Sequence, residues 1–141
     1  MKTKLTLAAG VILLLAAVSA FAHHPFSAEY DWKKPVTMSG TVTKFEWSNP
    51  HSFLYMDAKD ASGKMTHWTL EMGNPKALAG AGWSQNMLKA GDQVTVDAWL
   101  SKSRNDHANI KSVTLSDGRE LAGGSSVLDM KKPKAKAIAT Q

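Results

Sequence analysis

The chain has 141 residues, a formal charge of +5 and no cysteine, so neither disulfide bonds nor thiolate chemistry can contribute to it. The positive charge lies towards the two ends of the chain, because residues 23–128 contain eleven Lys and Arg against eleven Asp and Glu. A neutral body argues against nucleic acid as the main partner, since phosphate binding needs concentrated positive charge.

Residues 1–22 have the parts of a cleavable secretory signal peptide. A positively charged start precedes an apolar run over 5–18, and Ala20-Phe21-Ala22 supplies the small residues that a signal peptidase requires. The run is shorter than the roughly 20 residues that a membrane-spanning helix needs. The sequence therefore predicts cleavage after Ala22, a periplasmic location, no membrane span after cleavage and one domain of 119 residues, which we expect to be a monomer.

The first part of the mature chain is predicted to be an irregular lead-in over 23–35. A long strand over 36–47 follows, in which the apolar residues change parity near Lys44, and Gly40 interrupts the pattern. A β-bulge or a sharp bend explains both features. The second predicted strand, over 52–58, is apolar on both faces.

The third predicted strand, over 64–72, has the clearest alternation in the chain. Trp68 and Leu70 share the face that is predicted to point into the core. Asn74 and Pro75 then predict the start of a short helix, with Asn74 as the N-cap and Pro75 at the first helical position.

Two further strands are predicted over 93–100 and 109–115, and the second ends at a turn over 116–118. This order, with a long kinked first strand, favours a mainly β fold: a five-stranded Greek-key barrel of the oligonucleotide/oligosaccharide-binding (OB) type over 36–121, with one short helix between strands three and four. A small open sandwich is the alternative. The segment 122–141 lacks apolar periodicity and is predicted to be a disordered basic tail.

Three short motifs stand out in the chain: His23-His24-Pro25-Phe26, Asn49-Pro50-His51 and Gly82-Trp83. Together with the stretches 28–31, 34–36, 40–42, 46–51, 74–75, 81–83, 88–92 and 113–119, they resemble a family of small exported bacterial proteins that is known only as a domain of unknown function. The resemblance covers about residues 23–121. It implies an envelope location in a Gram-negative bacterium and brings no established activity. One departure is Pro25, where the family more often has Ser.

The predicted cleavage gives His23 a free α-amine. That amine and the ring Nδ1 can chelate a metal together, and an α-amine loses its proton easily near neutral pH. One further imidazole completes a T-shaped set of three nitrogens suited to Cu(II). The first candidate is His51, in a rigid Asn-Pro-His turn, and the second is His24. Pro25 has no amide N–H, which excludes the copper motif that uses two deprotonated amides and a third-position His.

A second group of candidate ligands lies on the third strand. His67, Met65 and Glu71 share the face that is predicted to point away from the core, either as a His/Met/Glu copper cluster or as an ordinary exposed strand face. Trp47 and Trp99 fall out of phase with the core and are candidates for stacking on a sugar or peptide. A second hydrophobic cluster that covers the barrel is the alternative.

The sequence has no nucleophile elbow, phosphate-binding loop or dinucleotide fingerprint, so we do not expect an enzyme. The first hypothesis is a periplasmic binding protein that holds Cu(II) through His23, His51 and His24. The second is a metal-free interaction module that offers the barrel face to an envelope protein, peptide or glycan. Convergence of the three imidazoles in the folded chain would favour the first hypothesis.

Overall fold

The alternating apolar residues of the second and third predicted strands form the inner face of a sheet. A computed structural model describes residues 26–125 of the chain. Leu54 and Leu70 are fully buried and lie opposite each other in neighbouring strands. In chain order the described residues form α1 (Phe26–Glu29), β1 (Tyr30–Glu46), β2 (Phe53–Lys59), β3 (Met65–Glu71), α2 (Pro75–Gly80), β4 (Gln93–Ser101), β5 (His107–Thr114) and β6 (Glu120–Ala122).

The strand pairings close into a ring in the order β1, β2, β3, β5, β4. All neighbours are antiparallel except β3 and β5, which pair in parallel over residues 69–71 and 107–109. β1 is long enough to pair with β2 through residues 40–46 and with β4 through residues 30–41. The prediction of a mainly β chain is confirmed, and a short helix follows β3 as predicted, but residues 26–125 contain six strands instead of five.

The change of parity in the first strand is a β-bulge. The register between β1 and β2 shifts between Val42 and Lys44, where the sequence predicts the irregularity. Gly40 allows β1 to approach β2 closely, because a Cβ at this position would lie 2.2 Å from the carbonyl oxygen of Asp57. A long strand that bends in this way can serve two neighbours and so close the ring.

The predicted start of the short helix is confirmed. The Asn74 side chain accepts a hydrogen bond from Ala77 N at 2.8 Å, and Pro75 occupies the first turn, where its missing N–H costs nothing. Trp83, just beyond the helix, is buried, and its ring nitrogen donates to the carbonyl oxygen of Ala122 at 2.8 Å. The segment after β3 is thereby fixed against β6.

The predicted boundary at the start of the domain is wrong. Residues 30–35, predicted to be part of an irregular lead-in, belong to β1, and α1 precedes them. Tyr30 pairs with Ser101 of β4, and Arg104 Nη2 lies 2.9 Å from Glu29 Oε1. The partners of Tyr30 and Glu29 lie about 70 residues away in the sequence, so no local apolar pattern predicts these contacts.

The predicted boundary at the end of the domain also falls too early. Ala122 belongs to β6, and the backbone of Gly123 donates to Lys111 O and accepts from Gly73 N, each at 2.8 Å. Ser125 is buried. Two glycines carry no apolar side chain, so a pattern of hydrophobicity cannot reveal that this segment packs. The predicted signal peptide, His23, His24 and the rest of the predicted tail lie outside the described residues.

Candidate functional site

A cavity of about 520 Å³ opens between α1, the turn before β2, the end of β3 and the segment after β6. Its volume is within the usual range for small-molecule sites. Phe26 and Phe53 contribute apolar wall, and Tyr30, His51 and Glu71 contribute polar groups. Three separate parts of the chain, at residues 29–30, 51 and 71, therefore bring titratable side chains to one place.

His51 reaches this cavity from the turn that joins β1 and β2. The turn is fixed by Ser48, whose hydroxyl donates to the backbone oxygen of His51 at 2.8 Å. The imidazole Nδ1 lies 2.6 Å from Glu71 Oε1. The two atoms are close but poorly aligned, so the contact does not meet the geometry of a hydrogen bond. Both His51 and Glu71 are candidates from the sequence, and the fold brings them together.

The two nitrogens of the His51 ring have different surroundings. Nδ1 is buried against Glu71, whereas the side chain as a whole is 40% exposed. The accessible part of the ring is therefore the side away from Nδ1. With the Glu71 carboxylate beside Nδ1, Nε2 is the nitrogen left for an outside partner.

Glu71 uses its second oxygen to bind Tyr30. The Tyr30 hydroxyl donates to Glu71 Oε2 at 2.5 Å, which completes a chain from Tyr30 through Glu71 to His51. Burial raises the pKa of the Tyr30 phenol well above its usual range, and the bond to Glu71 raises this pKa further. Tyr30 therefore remains a proton donor that holds the carboxylate in place. The sequence does not identify it, because its partner lies 41 residues further along the chain.

The remaining candidates on β3 do not join this group. His67 is exposed and pairs with Asp57 of β2 through Nδ1. It stands four residues before Glu71 on the same strand, about 13 Å away at the usual rise per residue. Met65 is 56% exposed at the far end of β3. The three residues share a strand face, as predicted, but they contact different partners.

The two tryptophans that are predicted to stack on a ligand are both half-buried. Trp47 packs against the core, with its ring centroid 5.9 Å from that of Phe45. Trp99 meets the edge of Phe26 at 5.5 Å beside the cavity. An aromatic pair that the sequence analysis does not single out, Phe53 and Tyr55 at 6.3 Å, lies on the outward parity of β2. The signal for it is that the second strand is apolar on both faces.

The described residues alone do not complete a metal site. Within residues 26–125 no three His, Cys, Asp or Glu side chains come together as ligands. His51 and Glu71 form a pair, and any third donor would have to come from outside this part of the chain. His107, the remaining histidine of the described residues, pairs with its neighbour Asp106, whose carboxylate lies 2.6 Å from its Nδ1.

The raised pKa of Tyr30 predicts how stability depends on alkaline pH. The folded state binds the phenolic proton of Tyr30 more tightly than the unfolded state does. The protonated phenol therefore adds fully to the free energy of unfolding below about pH 10, and this contribution is lost as the pH rises above that value. Tyr55→Phe leaves Tyr30 as the single phenol. We expect its phenolate absorbance to appear only as the fold is lost, whereas the urea-unfolded variant titrates near pH 10. Phenolate formation near pH 10 in the folded variant would contradict the Tyr30–Glu71 bond.

Comparison with known proteins identifies a family and no characterised relative. None of the helices within residues 26–125 has the length and apolar character to cross a bilayer. Neither the curated proteins nor the solved structures contain a match to the chain. A family model does match, over residues 10–110, and it confirms the resemblance to a family without an assigned activity. The chain belongs to the "Family of unknown function (DUF6152)".

Proposed function

We propose that this protein is a periplasmic binding protein, without enzymatic activity, that holds Cu(II) between His51 and its mature N-terminal histidine. The observation that carries the proposal is that His51, with one ring nitrogen against Glu71, lies in the same cavity as Phe26. Phe26 is three residues after His23 in the sequence. One of the three nitrogens of the proposed copper site is therefore held in position next to the place where the chain enters the fold.

The length of the chain supports this arrangement. Three residues of extended backbone span at most about 11 Å, so the Cα atom of His23 stays within that distance of the Cα atom of Phe26. In the proposed site, the α-amine and Nδ1 of His23 provide two ligands and Nε2 of His51 provides the third. His24 is the alternative donor. Glu71 lies beside Nδ1, the ring nitrogen that does not bind the metal, and Tyr30 holds the Glu71 carboxylate in place.

The architecture fits a binding role on the outside of a small barrel. We propose that the closed ring is an OB-like Greek-key barrel, because the ring order β1, β2, β3, β5, β4 and a helix between β3 and β4 are features of that fold. Barrels of this type take ligands at loops and on one face of the sheet. The proposed copper site would use the loop before β2 and the segment before β1.

The test is a copper titration of the exported, mature protein, whose N-terminus is first established by mass spectrometry. We expect one Cu(II) per chain and a type-2 EPR signal with nitrogen hyperfine structure. One alanine added ahead of His23 moves the amine away from the imidazole, and we expect the affinity to fall by about 100-fold or more. A mature N-terminus other than His23, or equal affinity with and without the added residue, would refute the proposed ligand set.

A second candidate function follows from the aromatic pair on β2. Phe53 lines the cavity, and Tyr55 continues from it along the outward side of the strand, with Lys44 Nζ 5.4 Å from the Tyr55 ring. Such a stripe suits a glycan or an extended peptide without any metal. In this case binding of oligosaccharides or peptides would persist in EDTA and would be lost in Tyr55→Ala, while copper binding would be absent.

A further inference from the structure

The most exposed of the described phenylalanine, tyrosine and tryptophan side chains lies on a wide bulge near the start of β1. β1 pairs with β4 at Tyr30 and again at Pro35, five residues later, while β4 advances by only two residues. Residues 31–34 of β1 therefore have no pairing partner on β4, and we refer to them as the Trp32 bulge. At its tip, Trp32 is 61% exposed. Three extra residues in one strand form a feature that proteins use to re-aim a side chain, and here the side chain is the indole of Trp32.

The Trp32 bulge is fixed at both ends and from within. Tyr30, on one side, is buried and bonded to Glu71, and Pro35 begins the regular pairing on the other side. Inside the bulge, Asp31 Oδ1 accepts a hydrogen bond from the backbone of Lys33 at 3.0 Å. A bulge that is already ordered loses little conformational entropy when it meets a partner.

The charge around the tryptophan is positive. Lys33 and Lys34 follow Trp32 directly, and both are exposed. The acid of the bulge, Asp31, already accepts the backbone bond, and its second oxygen lies 4.0 Å from Lys34 Nζ. With two lysines and one aspartate the bulge is net positive, and it presents one exposed indole ring next to two exposed basic side chains.

We propose that the Trp32 bulge contacts the surface of an anionic phospholipid bilayer. Tryptophan is enriched at the interface between water and hydrocarbon, where its amphipathic ring sits at the level of the headgroups. Lysines beside it add attraction to negatively charged headgroups.

A bilayer accounts for these features better than a nucleic acid does. Stacking proteins use several aromatic side chains along a continuous positive groove. The Trp32 bulge offers one ring, and residues 23–128 carry equal numbers of acidic and basic side chains. Bilayer contact at this bulge requires neither copper nor His51, so it can be tested with metal-free protein.

The test is sedimentation of the metal-free mature protein with vesicles of phosphatidylcholine, with and without phosphatidylglycerol. The basic residues near the C-terminus would obscure the result, so every variant also has glutamine at four positions. These positions are Lys131, Lys132, Lys134 and Lys136.

Two variants of the bulge are compared with two matched controls. We expect Trp32→Ala to weaken binding to the anionic vesicles about tenfold. We expect Lys33→Gln with Lys34→Gln to weaken it about 20- to 30-fold at low salt, and less at high salt. Met65→Ala removes the other strongly exposed large apolar side chain, and Lys59→Gln with Lys64→Gln removes two exposed lysines elsewhere. Both controls should change binding less than threefold.

The proposal fails if the protein does not bind anionic vesicles, or if the controls weaken binding as much as the bulge variants do. It also fails if Trp32→Ala leaves vesicle binding unchanged but abolishes binding to an oligonucleotide, which would assign the bulge to a nucleic acid. The substituted residues between 32 and 65 are all exposed, and thermal unfolding of each variant checks that the fold is intact.

Discussion

His51→Ala is expected to lower the copper affinity of the mature protein by more than about 100-fold, because it removes the imidazole that the fold itself positions. Glu71→Gln should have a smaller effect, about 10- to 100-fold, since the amide still fills the space but no longer holds Nδ1 as a carboxylate does. Affinity is measured by competition with a copper chelator of known strength.

His67→Ala is the matched control for these variants. His67 also carries a carboxylate beside Nδ1, but its side chain is 88% exposed and it stands on the open face of β3. We expect its removal to change the copper affinity less than twofold. Unchanged copper binding in His51→Ala would contradict the proposed site, and an equal loss in His67→Ala would move the site to the middle of β3.

Leu70→Ala is expected to lower the free energy of unfolding by about 2–5 kcal/mol, the range found when a fully buried leucine is truncated. Leu70 is 0% exposed, and it lies between Leu54 of β2 and Ala108 of β5 in the ring. The truncation therefore leaves a void at the junction where the ring closes. Urea unfolding followed by tryptophan fluorescence measures the loss.

Met65→Ala on the same strand separates burial from strand propensity. Met65 is 56% exposed at the other end of β3. We expect a change within about 0.5 kcal/mol. A loss in Leu70→Ala no larger than that in Met65→Ala would contradict the full burial of Leu70 where β3 meets β5.

Local sequence patterns predict two kinds of element: those whose residues contact near neighbours in the sequence, and strands whose apolar residues alternate regularly. The inward face of β3 follows from strict alternation, and Trp68 and Leu70 are buried as predicted. The cap at Asn74 follows from the chemistry of a few adjacent residues. The β-bulge between Val42 and Lys44 follows from the change of parity of the apolar residues, because a regular strand with such a change would turn its apolar residues away from the core.

The same patterns fail where a segment is held by distant polar or backbone contacts. Tyr30 and Glu29 are fixed by Glu71 and Arg104, and the segment of Gly123 is fixed through its backbone. None of these contacts produces a periodic pattern of apolar residues in the sequence. Both ends of the domain are therefore longer than predicted, and they are the ends that line the cavity.

The candidate site shows the same division. The Asn-Pro-His turn draws attention to His51 directly, because a rigid turn with an imidazole is recognisable in any fold. Glu71 is also a candidate from the sequence, which groups it with His67 on the same strand. In the structure its carboxylate contacts His51 and Tyr30 instead. The carboxylate lies at the end of β3 and shares the cavity with Phe26 and Glu29 of α1, which come from a distant part of the chain.

The arrangement of the cavity also determines how the protein can be handled. Phe26 and Ser125, the first and last described residues, both line it. A short linker between them, with new termini opened between Ser62 and Gly63 in the exposed β2–β3 turn, should give a circular permutant that keeps every strand pairing. A polyhistidine tag adds a rival set of imidazoles that can bind copper in place of His51. Copper measurements on such a fusion would report on the tag, so purification without one is the condition for observing the site.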